Sequence, residues 1–183
     1  MKQLFFALAT ALAFAGCSMK GHNVVLETNY GNIEIKLFDD AAPVTCENFR
    51  KLVSEGFYDS LQFHRVVPGF VIQGGDPNTR TPDKATWGMG GPGYTLPAEI
   101  EEPNLLGSVA MARQPDQVNP EKRSNGSQFY ICLRDLPQLN GQYTVFGKVV
   151  KGMDVVDSIA LVPHDARDIP LKPVYILKAY VEP

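Results

Sequence analysis

FHRVVPGFVIQGGD, residues 63–76, decides how the rest of the chain is read. Two short apolar segments, residues 62–67 and 70–74, flank Pro68-Gly69, a pair that favours a tight turn, so the stretch is predicted to fold back as two paired strands. Arg65 interrupts the first of them. Its guanidinium cannot lose its charge and carries its donors in a rigid fork, so a strand position costs desolvation unless something needs that fork. Pairing of the two segments brings Arg65 and Gln73 to one groove beside Phe70, with fixed donors at the edge of an apolar patch.

Outward from this stretch the chain alternates strand signals with turn signals. Residues 24–28 and 33–38 form a hairpin around Asn29-Tyr30-Gly31-Asn32, and Ile33, Ile35 and Leu37 alternate with Glu34 and Lys36 as in a half-buried strand. Asp39-Asp40-Ala41-Ala42-Pro43 places acidic residues and a proline where a helix begins. Phe49, Leu52 and Val53 then recur at helical spacing until Gly56, which predicts a helix over residues 43–55. Residues 77–97 read as a long surface loop rich in Gly, Pro and Thr. The GMGGPGY within it lacks the preceding strand and following helix of a phosphate loop, so its glycines are read as turns that let backbone approach its neighbours.

Residues 105–112, 127–133, 144–150 and 174–181 are predicted strands, separated by a polar loop at 114–124 bearing Pro115 and Pro120 and by a short turn at 137–143. Met153, Val156, Ile159 and Ala160 mark one face of a second helix that begins near Gly152-Met153-Asp154. About eight strands with two helices, and no regular strand-helix alternation, argue for a mostly β fold, an antiparallel sheet curled into a barrel.

At 183 residues, 44% hydrophobic and 20% charged, the chain has the composition of one soluble globular domain. Its first segment is different. Lys2, the apolar run of residues 4–15 and Ala15-Gly16-Cys17 have the shape of a secretory signal, too short for a comfortable membrane span. The end of the run resembles a bacterial lipobox, which implies cleavage before Cys17 and acylation of that residue, although Phe14 stands where many lipoboxes carry Leu. The expected organisation is a signal peptide at 1–16, a tether at 17–22 and one domain at 23–183, held at the cell envelope by a lipid anchor facing the periplasm or the exterior. An ordinary cleaved signal giving a soluble periplasmic protein, or a start at Met19 giving a cytoplasmic one, are the alternatives. Loss of Lys2 with the leader leaves 16 basic against 20 acidic residues, a net of −4, without the basic footprint that nucleic acid requires.

His22, His64 and His164 lie in segments of different type without metal-ligand spacing, so no metal is expected. His64 adjoins Arg65, but neighbours in a strand point to opposite faces, and it reads as a satisfied structural histidine. Ser124 and Ser127 lack a nucleophile-elbow context, and Cys46 and Cys132 read as small core residues. What remains is a groove of aromatic and aliphatic residues with one fixed guanidinium.

The blocks FHRVVPGFVIQGGD, GGPGYTLPAEI, GSVAMAR, NGSQFYI and VFGKVVKGMDVVDSI, in this order, resemble the signature blocks of the cyclophilin family of peptidyl-prolyl isomerases, and the resemblance covers residues 24–183. It implies an eight-stranded closed antiparallel barrel capped by two α-helices, with a proline groove on its outer face. It also implies binding of proline-containing segments of unfolded or folded proteins without a cofactor, and a monomer is the expected state. By matching block, Arg65 takes the place of the catalytic arginine with Gln73 beside it, and Phe70 and Val71 match groove positions. Ala112 and Arg113 match a strand end whose backbone holds the substrate carbonyl. Gln128 and Phe129 match SQF, Tyr130 stands where a phenylalanine floors the proline pocket, and Leu139 matches an apolar wall. Val71 replaces a common Met, Gln138 an aromatic and Tyr143 a histidine, and the 114–124 loop is longer than the family's linker. The expected activity is isomerisation of Xaa-Pro bonds in exported or envelope proteins, and the alternative is a chaperone module that grips proline segments with little turnover.

Overall fold

The computed structural model describes residues 21–183, so the expected leader, Cys17 and most of the tether lie outside the described residues. The strands are β1 (Val24–Thr28), β2 (Gly31–Leu37), β3 (Arg65–Val67), β4 (Val71–Gly74), β5 (Ser108–Met111), β6 (Phe129–Cys132), β7 (Val145–Lys151) and β8 (Ile176–Val181). The helices α1 (Pro43–Ser54) and α2 (Met153–Ala160) follow β2 and β7. The eight strands form one antiparallel sheet in the order β3-β4-β6-β5-β7-β2-β1-β8.

The paired strands curl into a half-barrel, with β3 and β8 at its two ends. β3 has only three residues, and its outer side faces the loop after α2, with the Val66 amide donating to the Asp168 carbonyl at 2.8 Å. Residues just ahead of β3 bridge the last seam instead. The Ile176 amide donates to Leu61, the Phe63 amide donates to Val174, and Gln62 makes an isolated bridge to Tyr175.

The central strands are buried on both faces, which is why they read as continuous apolar runs rather than alternating ones. One parity, Ile72, Val109, Met111, Phe129, Ile131 and Phe146, joins the main core under α1 and α2. The other parity, Val71, Ala110, Tyr130, Cys132 and Val145, forms a smaller cluster on the outer face with Phe70, Leu139 and Tyr143 packed against it. Cys46 and Cys132 are buried free thiols in different clusters, as expected of small core residues, and burial pushes both up to about 12.

Helix α1 starts at Pro43, where the missing proline N–H costs nothing, but Asp39 and Asp40 do not cap it. Glu99 does so from the far end of the long loop: its carboxylate accepts from the amides of Val44 (3.0 Å) and Thr45 (2.9 Å) and from the Thr45 hydroxyl (2.7 Å). Asp39 instead pairs with the buried Arg50, whose guanidinium also donates to the His22 carbonyl. This fixes the domain's first residues to the helix.

Two short 3-10 turns, Pro77–Arg80 and Lys84–Thr86, organise the loop after β4. Asp76, fully buried, holds that loop: its carboxylate accepts from the amides of Asn78 and Gly88. Gly90 lies against the same carboxylate so closely that a Cβ would overlap it. The glycines therefore serve close backbone approach, as read from the sequence, and they carry the loop to the rim of the outer-face cluster.

Candidate functional site

On the outer face, the smaller cluster opens into a cavity of about 170 Å³. It is lined by Arg65, Phe70, Val71, Gln73, Ala112, Arg113, Tyr130, Leu139 and Tyr143. Strand pairing explains the assembly. Arg65 stands opposite Gln73 in the β3–β4 ladder, Gln73 opposite Tyr130 in β4–β6, and Tyr130 opposite Ala110 in β6–β5. Arg65, Gln73 and Tyr130 thus share one face, with the apolar side chains between them.

The floor is Tyr130, whose hydroxyl donates to the buried Asn104 side chain at 2.8 Å and whose ring meets Tyr143 edge-on at 5.6 Å. Burial raises the Tyr130 phenol well above its ordinary range, so the ring presents a neutral apolar surface to the cavity. Leu139 comes from a 3-10 turn, Pro137–Leu139, and forms a wall. The cavity is about the size of one small ring plus a peptide group, apolar at its floor and polar at one edge.

That polar edge is built from Arg65 and Gln73. Arg65 is half-exposed at the cavity edge, with its Nε 3.6 Å from the Asp168 carboxylate. Gln73 Nε2 donates to Gln128 Oε1 at 3.0 Å, and Gln128 Nε2 donates to the carbonyls of Gly88 (3.0 Å) and Gly90 (2.8 Å). A chain of hydrogen bonds therefore runs from the glycine loop to the residue facing Arg65, and it leaves Gln73 few rotamers.

The structure relocates two of the expected site residues and changes the part of a third. Phe129 is fully buried in the main core, its ring T-shaped against Phe49 (5.7 Å), Tyr58 (5.8 Å) and Phe63 (6.0 Å), because strand alternation sends it to the face opposite Tyr130. Gln128 is 2% exposed and does not line the cavity, bracing Gln73 from behind. Ala112 lines the cavity, but its amide donates to Gln128 and its carbonyl accepts from Asn125, so its backbone is already used. Among the described residues, the Arg113 amide makes no such bond and is the free backbone donor of the pair. Asp168, Asn104 and the Gly88 and Gly90 carbonyls carried no sequence signal, since each meets the site from a distant segment.

His64 is buried under β3, pointing away from Arg65, yet it is not satisfied: neither ring nitrogen has a hydrogen-bond partner among the described residues. Burial lowers it from 6.5 to about 4, against the opposing pull of Asp76. The unfolded chain takes up this proton first, so the folded state keeps its full advantage above 6.5 and loses it as pH falls towards 4, at about 1.4 kcal/mol per unit. Thermal melts of the wild type are therefore expected to drop between these pH values, and His64→Phe is expected to flatten the drop. An unchanged slope would place the acid sensitivity elsewhere.

No group of three or more His, Cys, Asp or Glu residues suited to a metal occurs among the described residues. The arrangement offers a fixed cation, neutral amide donors and a shaped apolar cavity, and no nucleophile with an adjacent base.

Residues 23–181 match the family model described as cyclophilin type peptidyl-prolyl cis-trans isomerase/CLD. A probable peptidyl-prolyl cis-trans isomerase of Brucella suis is 42% identical over 185 residues, covering 97% of this chain and 92% of that relative. Peptidyl-prolyl cis-trans isomerase ppi1 of Schizosaccharomyces pombe is 38% identical over 165 residues, covering 86% and 97%. Among solved structures, a cyclophilin type peptidyl-prolyl cis-trans isomerase of Cryptosporidium parvum superposes with a TM-score of 0.79 at 32% identity, covering 88% of this chain and 98% of that one. A second crystal structure of that protein, in the presence of the dipeptide Ala-Pro, gives a TM-score of 0.77.

Proposed function

This chain belongs to the cyclophilin-type peptidyl-prolyl cis-trans isomerase family, and from that premise we propose which residues carry the isomerisation and where in the cell it is used. The protein is a peptidyl-prolyl cis-trans isomerase. Its reaction has no covalent step. The prolyl peptide bond resists rotation because nitrogen shares its lone pair with the carbonyl, giving a barrier of ~18–20 kcal/mol and uncatalysed times of tens to hundreds of seconds.

Midway through rotation that conjugation is broken, the proline nitrogen becomes pyramidal, and its lone pair becomes an acceptor. A donor fixed there binds the twisted state better than either planar isomer, which is the condition for catalysis. Arg65 is that donor, at the cavity edge beside Asp168 and facing Gln73 across the β3–β4 ladder. The proline ring sits on Tyr130 between Phe70, Val71, Leu139 and Tyr143. The Arg113 amide holds the carbonyl of a neighbouring residue, and Gln73 fixes the peptide beside the rotating bond.

The magnitudes divide the labour. Bringing the time to about a millisecond needs ~10⁴–10⁵, or ~5–7 kcal/mol. One charge-assisted hydrogen bond supplies ~1.5–3 kcal/mol of that. The remainder comes from holding the twisted peptide in a drier, shaped cavity, so the walls matter as much as the guanidinium. The observation that carries this assignment is the convergence of Arg65, Gln73 and the apolar floor on one cavity built by a single chain, which also supports action as a monomer on proline-containing protein segments.

The proposed setting is the cell envelope, with substrates among exported proteins. Lys2, the apolar run after it and Ala15-Gly16-Cys17 support a cleaved leader and an anchor on Cys17. No helix among the described residues is long and apolar enough to cross a membrane. Palmitate labelling of the protein in a bacterial host is expected to be lost in Cys17→Ser, with the protein released from the membrane fraction. A wild type that takes up no label and fractionates as soluble would overturn the anchor.

A further inference from the structure

We propose that Pro115 to Gln117, with Gln138 and Gln142, form a second subsite that takes a carboxamide- or hydroxyl-bearing side chain flanking the substrate proline. The proposal rests on the isomerase reading, because the substrate is then a chain whose neighbouring residues must cross the ground beside the proline cavity. That ground is not flat. A second cavity of about 320 Å³ opens there and shares Arg113, Leu139 and Tyr143 with the first, so the two adjoin.

Its chemistry follows from what is spent and what is free. The one cation in its lining, Arg113, has a side chain only 6% exposed. Nε donates to the Gln142 carbonyl at 2.8 Å and Nη1 to the Gln114 carbonyl at 2.9 Å. Nη1 also pairs with Asp116 Oδ1 at 2.6 Å, and the guanidinium lies over the Tyr143 ring at 5.0 Å. Its charge is therefore neutralised by Asp116, and neither an acidic nor a basic side chain is strongly selected. The side chains of Gln117, Gln138 and Gln142, by contrast, make no hydrogen bond to any other described residue, and each carboxamide offers both donors and an acceptor.

The backbone that carries these side chains is also tied before any peptide arrives. Arg113 ties the inserted 114–124 loop to the turn that carries Gln142, and it does so while stacked on a ring that lines the proline cavity. A polar side chain entering the second cavity thus meets amide groups whose supports are already ordered, which reduces the entropy that binding must overcome. An aliphatic side chain of similar size would strip water from the same amides and return nothing.

The test uses proline peptides in which Gln, Ser, Leu or Glu is placed in turn at each position flanking the proline, with dissociation constants and isomerisation rates both measured. At one position, Gln is expected to bind about three- to tenfold more tightly than Leu, the range of one or two net hydrogen bonds. Gln117→Ala with Gln138→Ala, both at exposed positions, is expected to erase that advantage without changing the melting temperature, and each single variant to erase part of it. An advantage absent at every position, or unchanged in the double variant, overturns the subsite. Peptides that show the advantage in binding but are never isomerised would overturn the isomerase reading and leave the subsite standing.

Discussion

Arg65→Ala is expected to lower kcat/KM for a Xaa-Pro peptide about 10- to 150-fold, the equivalent of one charge-assisted hydrogen bond of ~1.5–3 kcal/mol made in the twisted state. The fold should be indifferent to the change. Arg65 is half-exposed, and its contact with Asp168 at 3.6 Å is a surface pair worth little. Melting temperature and the peptide's chemical-shift footprint should therefore stay close to wild type. Arg65→Lys is expected to recover only part of the loss, because an ammonium keeps the charge but not the planar fork. Equal activity in all three proteins would remove Arg65 from the mechanism.

Phe129→Ala is expected to have the opposite profile, costing about 3–5 kcal/mol of stability, as large aromatic truncations in a packed core do. The ring touches Phe49, Tyr58 and Phe63, and nothing of it reaches the cavity. For a domain of this length such a loss lowers Tm on the order of 10 °C, while turnover per folded molecule at a temperature well below unfolding stays close to normal. Leu139→Ala reverses both signs. That residue is a half-exposed wall of the cavity, so its removal should raise KM several-fold and shift Tm little. A Phe129→Ala protein that melts normally but turns over poorly would return this ring to the groove.

These two positions also show what was legible in the sequence. Arg65 and Gln73 were readable because their meeting depends only on a local hairpin, whose register the Pro68-Gly69 turn sets over a few residues. Phe129 and Tyr130 were not separable. Both sit in a strand buried on each face, with no polar residue to mark the parity, so FYIC reads the same whichever way it is turned. Only the neighbours across the sheet, Gln73 on one side and Ala110 on the other, decide that Tyr130 faces the cavity.

Strand ends were overrun for a related reason. Residues 105–107 continue an apolar run into β5, but Leu105 and Leu106 are 45% and 49% exposed and belong to a turn. Apolar character could not reveal it. The supports of the site were out of reach altogether. Glu99 capping α1, Asp168 beside Arg65 and Asn104 beneath Tyr130 each join residues 26 to 103 positions apart, and no spacing rule links them. The acidic pair before α1 suggested a cap by composition, whereas Asp39 is committed to Arg50. The route by which the sheet curls round was hidden similarly: counting strands cannot tell that a three-residue β3 leaves its seam to the segment before it.

The central claim is that Arg65 acts on the twisted peptide and not on either planar isomer. Exchange NMR on a saturating proline peptide measures it directly, because the cis-trans interconversion rate within the complex and the dissociation constant are obtained from one sample. In Arg65→Ala the expected result is an interconversion rate lowered about 10- to 150-fold with affinity changed no more than about twofold. An unchanged rate within the complex, with the whole loss appearing as weaker binding, would contradict it.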